Sequence, residues 1–414
     1  MTIQYLGKAS VVGAPIDLDQ HGRDRAAAVR PDLRTRAKAA ALIAAEHAEA
    51  VDTAGRFPAE AMAALKAAGL IGAMIPEALG GEGAGVSEIA EVCYILAGAC
   101  ASTAMIYAMH QIKVACVARH CADSPWHQDF LRRTARDQLL LASSTTEGRG
   151  GGDVRSSTAP IERTGGRIAL DRAATVMSYG EQADAVVSTA RRSADAPASD
   201  QVLVVFERAD YALTRTVEWE TLGMRGTRSA GFAMKAEGVE AQVLPTPYAE
   251  IHAETMTPVA HLLWSAAWAG NAAAAVETAR RFTRKAARGA GGALPPGAVH
   301  FTRAAASLRA LRSQVSAALL RFEAVQDDAA ALRANDFQTA ITLLKVDASE
   351  LAVQTVMSAM RACGLSGYRN DGDFSLGRRL RDVLSAPIMI NNDRILMNAG
   401  PATLLTETPT SLFA

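Results

Sequence analysis

Four short stretches of this 414-residue chain carry side chains able to do chemistry. In "RRLRDVLSAPIMINNDRI" (378–395) a mostly apolar run closes on two amides, Asn391 and Asn392, followed by Asp393-Arg394. Such amides hold the polar groups of a bound molecule or cap a turn, and both readings stand. His110, in "IYAMHQI", and His261, in "PVAHLLWSAAWAG" beside Trp264 and Trp268, lie in apolar surroundings. A buried neutral imidazole can act as a base near pH 7; the plainer alternative is a hydrogen-bonded core histidine. The fourth stretch, "ASSTTEGRGGGDVRSS" (142–157), sets hydroxyls before a glycine run. Gly151 and Gly152 let the backbone come close to a bound group that a side chain would obstruct, or they simply turn the chain.

The surrounding text supplies the elements that must position these residues. From about 30 to 138 it is rich in Ala, Glu, Lys and Leu and reads as helices. Phe57-Pro58 opens one and Gly69 closes it. "VSEIAEVCYILAGACASTAMIYAMHQIKVACVARH" is apolar almost all round, which predicts a long helix buried on most sides. Around 140 the character changes: "GGRIALD", "ADAVVSTARR", "DQVLVVFER" and "GFAMKAEGVEAQVL" are short β-type runs bounded by Gly, Asp and Ser. Beyond 255 helical periodicity returns. Leu308, Leu311, Val315, Leu319 and Phe322 form one stripe, and Ile341, Leu344, Ala348 and Leu351 another, as antiparallel helices of a bundle would show. The expected organisation is an N-terminal arm (1–29), a helical domain (30–139), a middle β-barrel-like domain (140–248) and a C-terminal four-helix bundle (249–414), an α+β fold that is mainly α.

Composition narrows the function classes. The 43 basic and 43 acidic residues balance, so no nucleic-acid partner is expected. No apolar run reaches membrane-spanning length and the N-terminus lacks a signal-peptide core, which points to a cytoplasmic protein. Five cysteines without a CxxC fit reduced, packed thiols better than a metal or disulfide framework.

With the stretch at 142–157 the chain resembles the acyl-CoA dehydrogenase family, whose middle domain opens on Thr-Glu, three residues, Gly, a small residue and Asp. "FPAEAMAALKAAGLIGAMIPEALGGEGAG", "YGEQADAVVSTAR", "TLGMRGTRSAGFAMK" and "CGLSGY" followed by "RRLRD" resemble further family segments in the family's order. The resemblance implies a flavoprotein with FAD between β domain and bundle, in a homotetramer or homodimer. It places Ser143, Thr145 and Thr146 at the polar edge of the flavin ring, where donors and acceptors are needed. Val176 replaces the aromatic that usually flanks the ring, and Ser178 stands near its reactive nitrogen. Lys285, Arg288, Arg361 and Gly364 align with groups that hold the cofactor's diphosphate and adenine; a solvated helix face is the alternative for the basic pair.

One departure dominates. These enzymes remove an α-proton from an acyl thioester, on CoA or a carrier protein, with a carboxylate. Counting from Arg381-Asp382, its usual place holds Ile390, and the second known location holds Ala260 followed by His261. Three readings follow: a dehydrogenase in which His110 or His261 serves as base, passing electrons to an electron-transfer flavoprotein or oxygen; a flavin-dependent monooxygenase or oxidase; and a non-catalytic flavin- or carrier-protein-binding paralogue.

Overall fold

The structure, a computed structural model, describes residues 31–147 and 155–405. The chain divides after Asp32, and the unit beginning at Leu33 carries every element below. Its first part is helical: α1 (Leu33–Ala54), α2 (Ala59–Ala67), α3 (Val86–Ala99), α4 (Ala101–Arg119) and α5 (Pro125–Asp137). Local chemistry sets the ends. Pro58 precedes α2, Gly69 turns the chain after it at φ +68°, and Pro125 occupies the first turn of α5. The Glu88 carboxylate accepts the Gly85 N–H at 2.9 Å and fastens the start of α3. The apolar run expected as one helix is two, because Cys100 adopts an extended backbone between α3 and α4. With no polar residue at the break, periodicity could not reveal it.

The seven strands are β1 (Leu141–Ser144), β2 (Glu162–Thr164), β3 (Arg167–Ala174), β4 (Ala185–Arg191), β5 (Gln201–Glu207), β6 (Tyr211–Val217) and β7 (Gly231–Val239). They form two sheets, β1-β4-β5 and β2-β3-β7-β6, joined by a bridge between Glu147 and Ala174, and make up the β region expected between the helical parts. In β4 and β5 nearly every residue is buried, as their continuous Val and Leu runs require, whereas β3 alternates between core and solvent. Arg172 of β3 links the sheets by donating to the Thr189 carbonyl of β4.

The remainder is α6 (Tyr248–Ile251), a π-turn at His252–Met256, α7 (Thr257–Gly289), α8 (Ala298–Val325), α9 (Ala329–Arg333), α10 (Asn335–Cys363), α11 (Leu365–Tyr368), α12 (Gly377–Val383) and α13 (Asn392–Leu405). Both apolar stripes lie where expected: Leu311, Val315 and Phe322 are buried in α8, and Ile341, Leu344 and Ala348 in α10. The joint between them holds α9, capped by Asp328, whose carboxylate accepts the Ala331 N–H at 3.0 Å. Contacts of Ser307 with Thr355 (2.8 Å) and of Arg321 with Asp336 (2.5 Å) run α8 antiparallel to α10. All five cysteines are buried and unbridged. Among the described residues no helix is long and apolar enough to cross a membrane.

Helices α3 and α7 meet backbone to backbone at Gly270, where an added methyl would run into the Tyr94 carbonyl oxygen. Gly270→Ala should therefore lower stability by about 3 kcal/mol, since neither backbone can yield easily. Urea unfolding of both proteins checks this; an unchanged midpoint would refute the close approach.

Candidate active site

On the β side, hydroxyls gather at the ends of β1 and β3. Ser143, the third residue of β1, lies 3.3 Å from Thr145, oxygen to oxygen. An antiparallel bridge between Glu147 and Ala174 draws Thr145 and Thr146 beside the segment that carries Val176 and Ser178. Ser178 Oγ lies 2.8 Å from Ser229 Oγ, itself 2.7 Å from Thr227 Oγ1, and Thr227 donates to the Met224 carbonyl. Val176 is 44% exposed beside this row. An apolar side chain next to a line of partly exposed hydroxyls suits a flat ring with a polar edge, the shape of a flavin.

Glu147 anchors the chain just beyond. It accepts from Ser157 Oγ (2.6 Å) and from the Thr158 N–H (2.7 Å), and it pairs with the buried Arg172 at 2.7 Å. Burial alone would raise its carboxyl, but the Arg172 charge and the Ser157 and Thr158 donors outweigh that and hold it below the usual carboxylate value. The segment's two ends are thus stapled together. Gly151 and Gly152 lie outside the described residues.

On the helical side the two histidines part company. His110 is fully buried: its Nε2–H donates to the Ile71 carbonyl at 2.9 Å, and its Nδ1 accepts the Leu141 N–H at 3.0 Å. Both nitrogens are occupied, the tautomer is fixed, and burial lowers the pKa to about 4. The expected base is here a brace between β1 and the α2–α3 connection, with no lone pair to offer. His261 donates from Nδ1 to the Ile341 carbonyl at 2.9 Å, which leaves Nε2 as an acceptor. Burial lowers its pKa to about 4 as well, so it is neutral at pH 7. Its ring centroid is 5.9 Å from that of Trp264.

Two buried lysines, unmarked by the sequence reading, complete this side. Lys345 of α10 donates to Asn392 Oδ1 at 2.7 Å and lies 5.8 Å from the Trp268 ring centroid. Asn392 also donates to Ser349 Oγ at 3.0 Å. Lys113 of α4 faces Met256 Sδ at 3.6 Å. Burial depresses each ammonium to about 8. The α4 stripe Met105–Met109–Lys113 runs antiparallel to the α7 stripe Met256–Ala260–Trp264–Trp268, since Met105 shares a small chamber with Trp268 and Asn271 while Lys113 meets Met256. The only sequence sign was a lone lysine in each of two apolar runs, "HQIKVAC" and "TLLKVDA".

The remaining candidates are dispersed. Ile390, at the place of the expected carboxylate, is half-buried and adopts φ +51°, a strained conformation for a β-branched residue. Asn391 is exposed and caps α13 by accepting the Asp393 N–H at 2.9 Å, so the turn-capping alternative describes it. Lys285 and Arg288 are exposed on the last turns of α7, about 36 Å along the helix from His261. Lys285 sits 5.4 Å over the Phe374 ring. Arg361, exposed, and Gly364, at φ +56°, close α10. None of these four reaches the hydroxyl row within one chain.

The N-terminal helices match the model "Acyl-CoA dehydrogenase, N-terminal domain" over residues 32–138, and the bundle matches "Acyl-CoA dehydrogenase, C-terminal domain" over residues 253–399. The chain is 28% identical over 357 residues to the amino sugar nitrososynthase DnmZ of Streptomyces peucetius, spanning 82% of this chain and 84% of that one. FMN-bound TdsC of Paenibacillus sp. A11-2 superposes with a TM-score of 0.79 at 20% identity, over 92% of this chain and 100% of its own. KijD3 in complex with FMN and dTDP-3-amino-2,3,6-trideoxy-4-keto-3-methyl-D-glucose superposes with a TM-score of 0.77 at 20% identity, over 91% and 94%. These likenesses share the helical, β and bundle order. They also overturn the expectation of FAD, because the flavin in both structures is FMN.

His110, His127 and His261 are buried neutral, each with a pKa lowered to about 4 by burial. Between pH 4 and 6.5 the unfolded chain binds protons that the folded chain refuses, so stability rises with pH there and falls on acidification. Each histidine contributes about 1.4 kcal/mol per pH unit within that window. Urea midpoints should drop from pH 7 to pH 5, and His127→Gln should shrink the drop. Equal midpoints at the two pH values would contradict the buried neutral state.

Proposed function

Because the chain belongs to the acyl-CoA dehydrogenase family, we propose that it is an oxygen-using flavin monooxygenase or oxidase on that fold, with FMN as cofactor. Its substrate class is a polar small molecule with an amine, of the nucleotide-sugar kind, in place of an acyl thioester. The observation that carries this reading is Ile390: an aliphatic side chain stands where thioester desaturation requires a carboxylate. His110 cannot replace it, both nitrogens being committed to backbone. His261, neutral and with a pKa near 4, is too weak a base for an α-proton.

The residues fit the proposed group. Ser143, Thr145, Thr146, Ser178 and Ser229 supply hydroxyls to the ring's polar edge, and Val176 packs against its face. When bound, FMN would supply the two electrons by which one oxygen atom of dioxygen passes to the substrate and the other leaves as water; desaturation by loss of an α-proton is not needed. The protein's part is orientation. Nε2 of His261 accepts a hydrogen bond from a substrate N–H or O–H, Trp264 and Trp268 wall the gap, and the Lys345–Asn392 pair offers one cationic group beneath it. The 28% identity with DnmZ and the amino sugar in the KijD3 complex favour an amine as the oxidised group.

Purified protein with FMN, a flavin reductase, NADH and air should add oxygen to a dTDP-linked amino sugar, read as a mass gain on the substrate. His261→Phe should reduce that turnover on the order of tenfold, the cost of one lost orienting hydrogen bond. Anaerobic bleaching of the bound flavin by an acyl-CoA, with no oxygen needed, would overturn the reading and restore dehydrogenation.

A further inference from the structure

A second polar cavity lies apart from the hydroxyl row and the His261 side. It has a volume of about 290 Å³ and opens between α1, the 218–228 loop and α12. Three guanidinium groups face it: Arg225, Arg378 and Arg381. Arg381 is fully engaged, gripping Asp52 at 2.5 and 3.1 Å and the Leu222 carbonyl at 3.0 Å. The other two are held loosely. Arg378 has Glu49 at 3.9 Å and the Ala99 carbonyl at 3.3 Å, and its Nη1 is buried with no partner. Arg225 has Glu220 at 3.9 Å, and its Nε is likewise buried and unpartnered.

The two loosely held guanidiniums border a cavity that water reaches, and carboxylates no nearer than 3.9 Å leave them N–H capacity for an acceptor that the chain does not provide. Glu49 is a poor candidate, being 76% exposed and at the limit of an ion pair. Asn370, Ser375 and Thr53 add neutral donors around the mouth. Oxygen atoms bearing more than one negative charge would satisfy both guanidiniums at once, and forked N–H donors match phosphate geometry.

We propose that this cavity binds a small phosphate-bearing anion through Arg225 and Arg378. Its lining shares no residue with the hydroxyl row or with His261. Next to it in the chain is the Met224–Asp382 contact, in which the buried Asp382 carboxylate accepts the Met224 N–H at 2.7 Å. Met224 and Asp382 also line the inner chamber that holds Met105, Trp268 and Asn271. Arg225 and Arg381 are their chain neighbours, so the two cavities share the Met224-Arg225 and Arg381-Asp382 segments. Free phosphate, diphosphate and the diphosphate of a nucleotide share this chemistry.

The test is thermal shift and calorimetry on the full chain with FMN at saturation, so that the cofactor cleft does not take the probe. Inorganic phosphate, diphosphate and thymidine diphosphate are titrated separately against sodium chloride of equal ionic strength. A saturable stabilisation is expected with at least one probe. Thr53→Glu, which places a carboxylate at the mouth without removing any of these guanidinium contacts, should weaken binding at least tenfold. Glu49→Gln, which removes a competing carboxylate, should tighten it several-fold. Tighter binding of thymidine diphosphate than of diphosphate assigns a nucleotide as the source, and equal binding assigns the phosphate group alone. No saturable effect from any probe, or identical affinity in wild type, Thr53→Glu and Glu49→Gln, would overturn the site.

Discussion

The contact between α12 and the loop after β6 ties the molecule's parts together. Asp382 is buried, which raises its carboxyl above the ordinary value, and it accepts the Met224 N–H at 2.7 Å. Its neighbour Arg381 reaches the other way to Asp52 of α1 and to the Leu222 carbonyl. At Gly223 the two backbones touch so closely that no side chain fits against the Arg381 carbonyl. One Arg-Asp pair thereby joins the N-terminal helices, the β region and the end of the bundle. Asp52 and Asp382 are buried while Arg381 keeps some contact with solvent, so losing Arg381 would leave the Asp52 carboxylate poorly solvated.

The helical side holds several buried polar groups, each with its own partner. His110 braces β1, His261 leans on the Ile341 carbonyl, and Lys345 is satisfied by Asn392. Each is fixed by a backbone or amide partner, and none by a carboxylate. Burial keeps both imidazoles neutral and brings both lysines close to losing their protons at mildly alkaline pH. Ile390, at the position of the missing acid, is strained, and strain at a loop persists where the surroundings over-determine it.

How legible was this in the sequence? Helix stripes such as Leu311–Val315–Phe322 and alternating strands such as β3 could be read directly, because burial of one face imposes a period on the text. The loss of the acid was legible too, as it needs only a count from Arg381-Asp382 to Ile390. The break at Cys100 was hidden, as was the division of the strands into two sheets, because both depend on how elements pack. Lys113 and Lys345 were passed over for the same reason: a lysine on an apolar stripe usually reaches solvent, and only the neighbouring helices show that it does not.

By itself the sequence determined the kind of fold, the family and the absence of a carboxylate at either customary position, since composition, periodicity and order of motifs are properties of the chain. Tertiary structure alone decided what each polar side chain can do. It turned His110 from a possible base into a brace and left His261 with one free nitrogen. It also set Arg225 and Arg378, 153 positions apart in the numbering, around one cavity. The reason is physical: the proton affinity and reach of a side chain depend on the partners and solvent around it, and residues distant in the chain supply both.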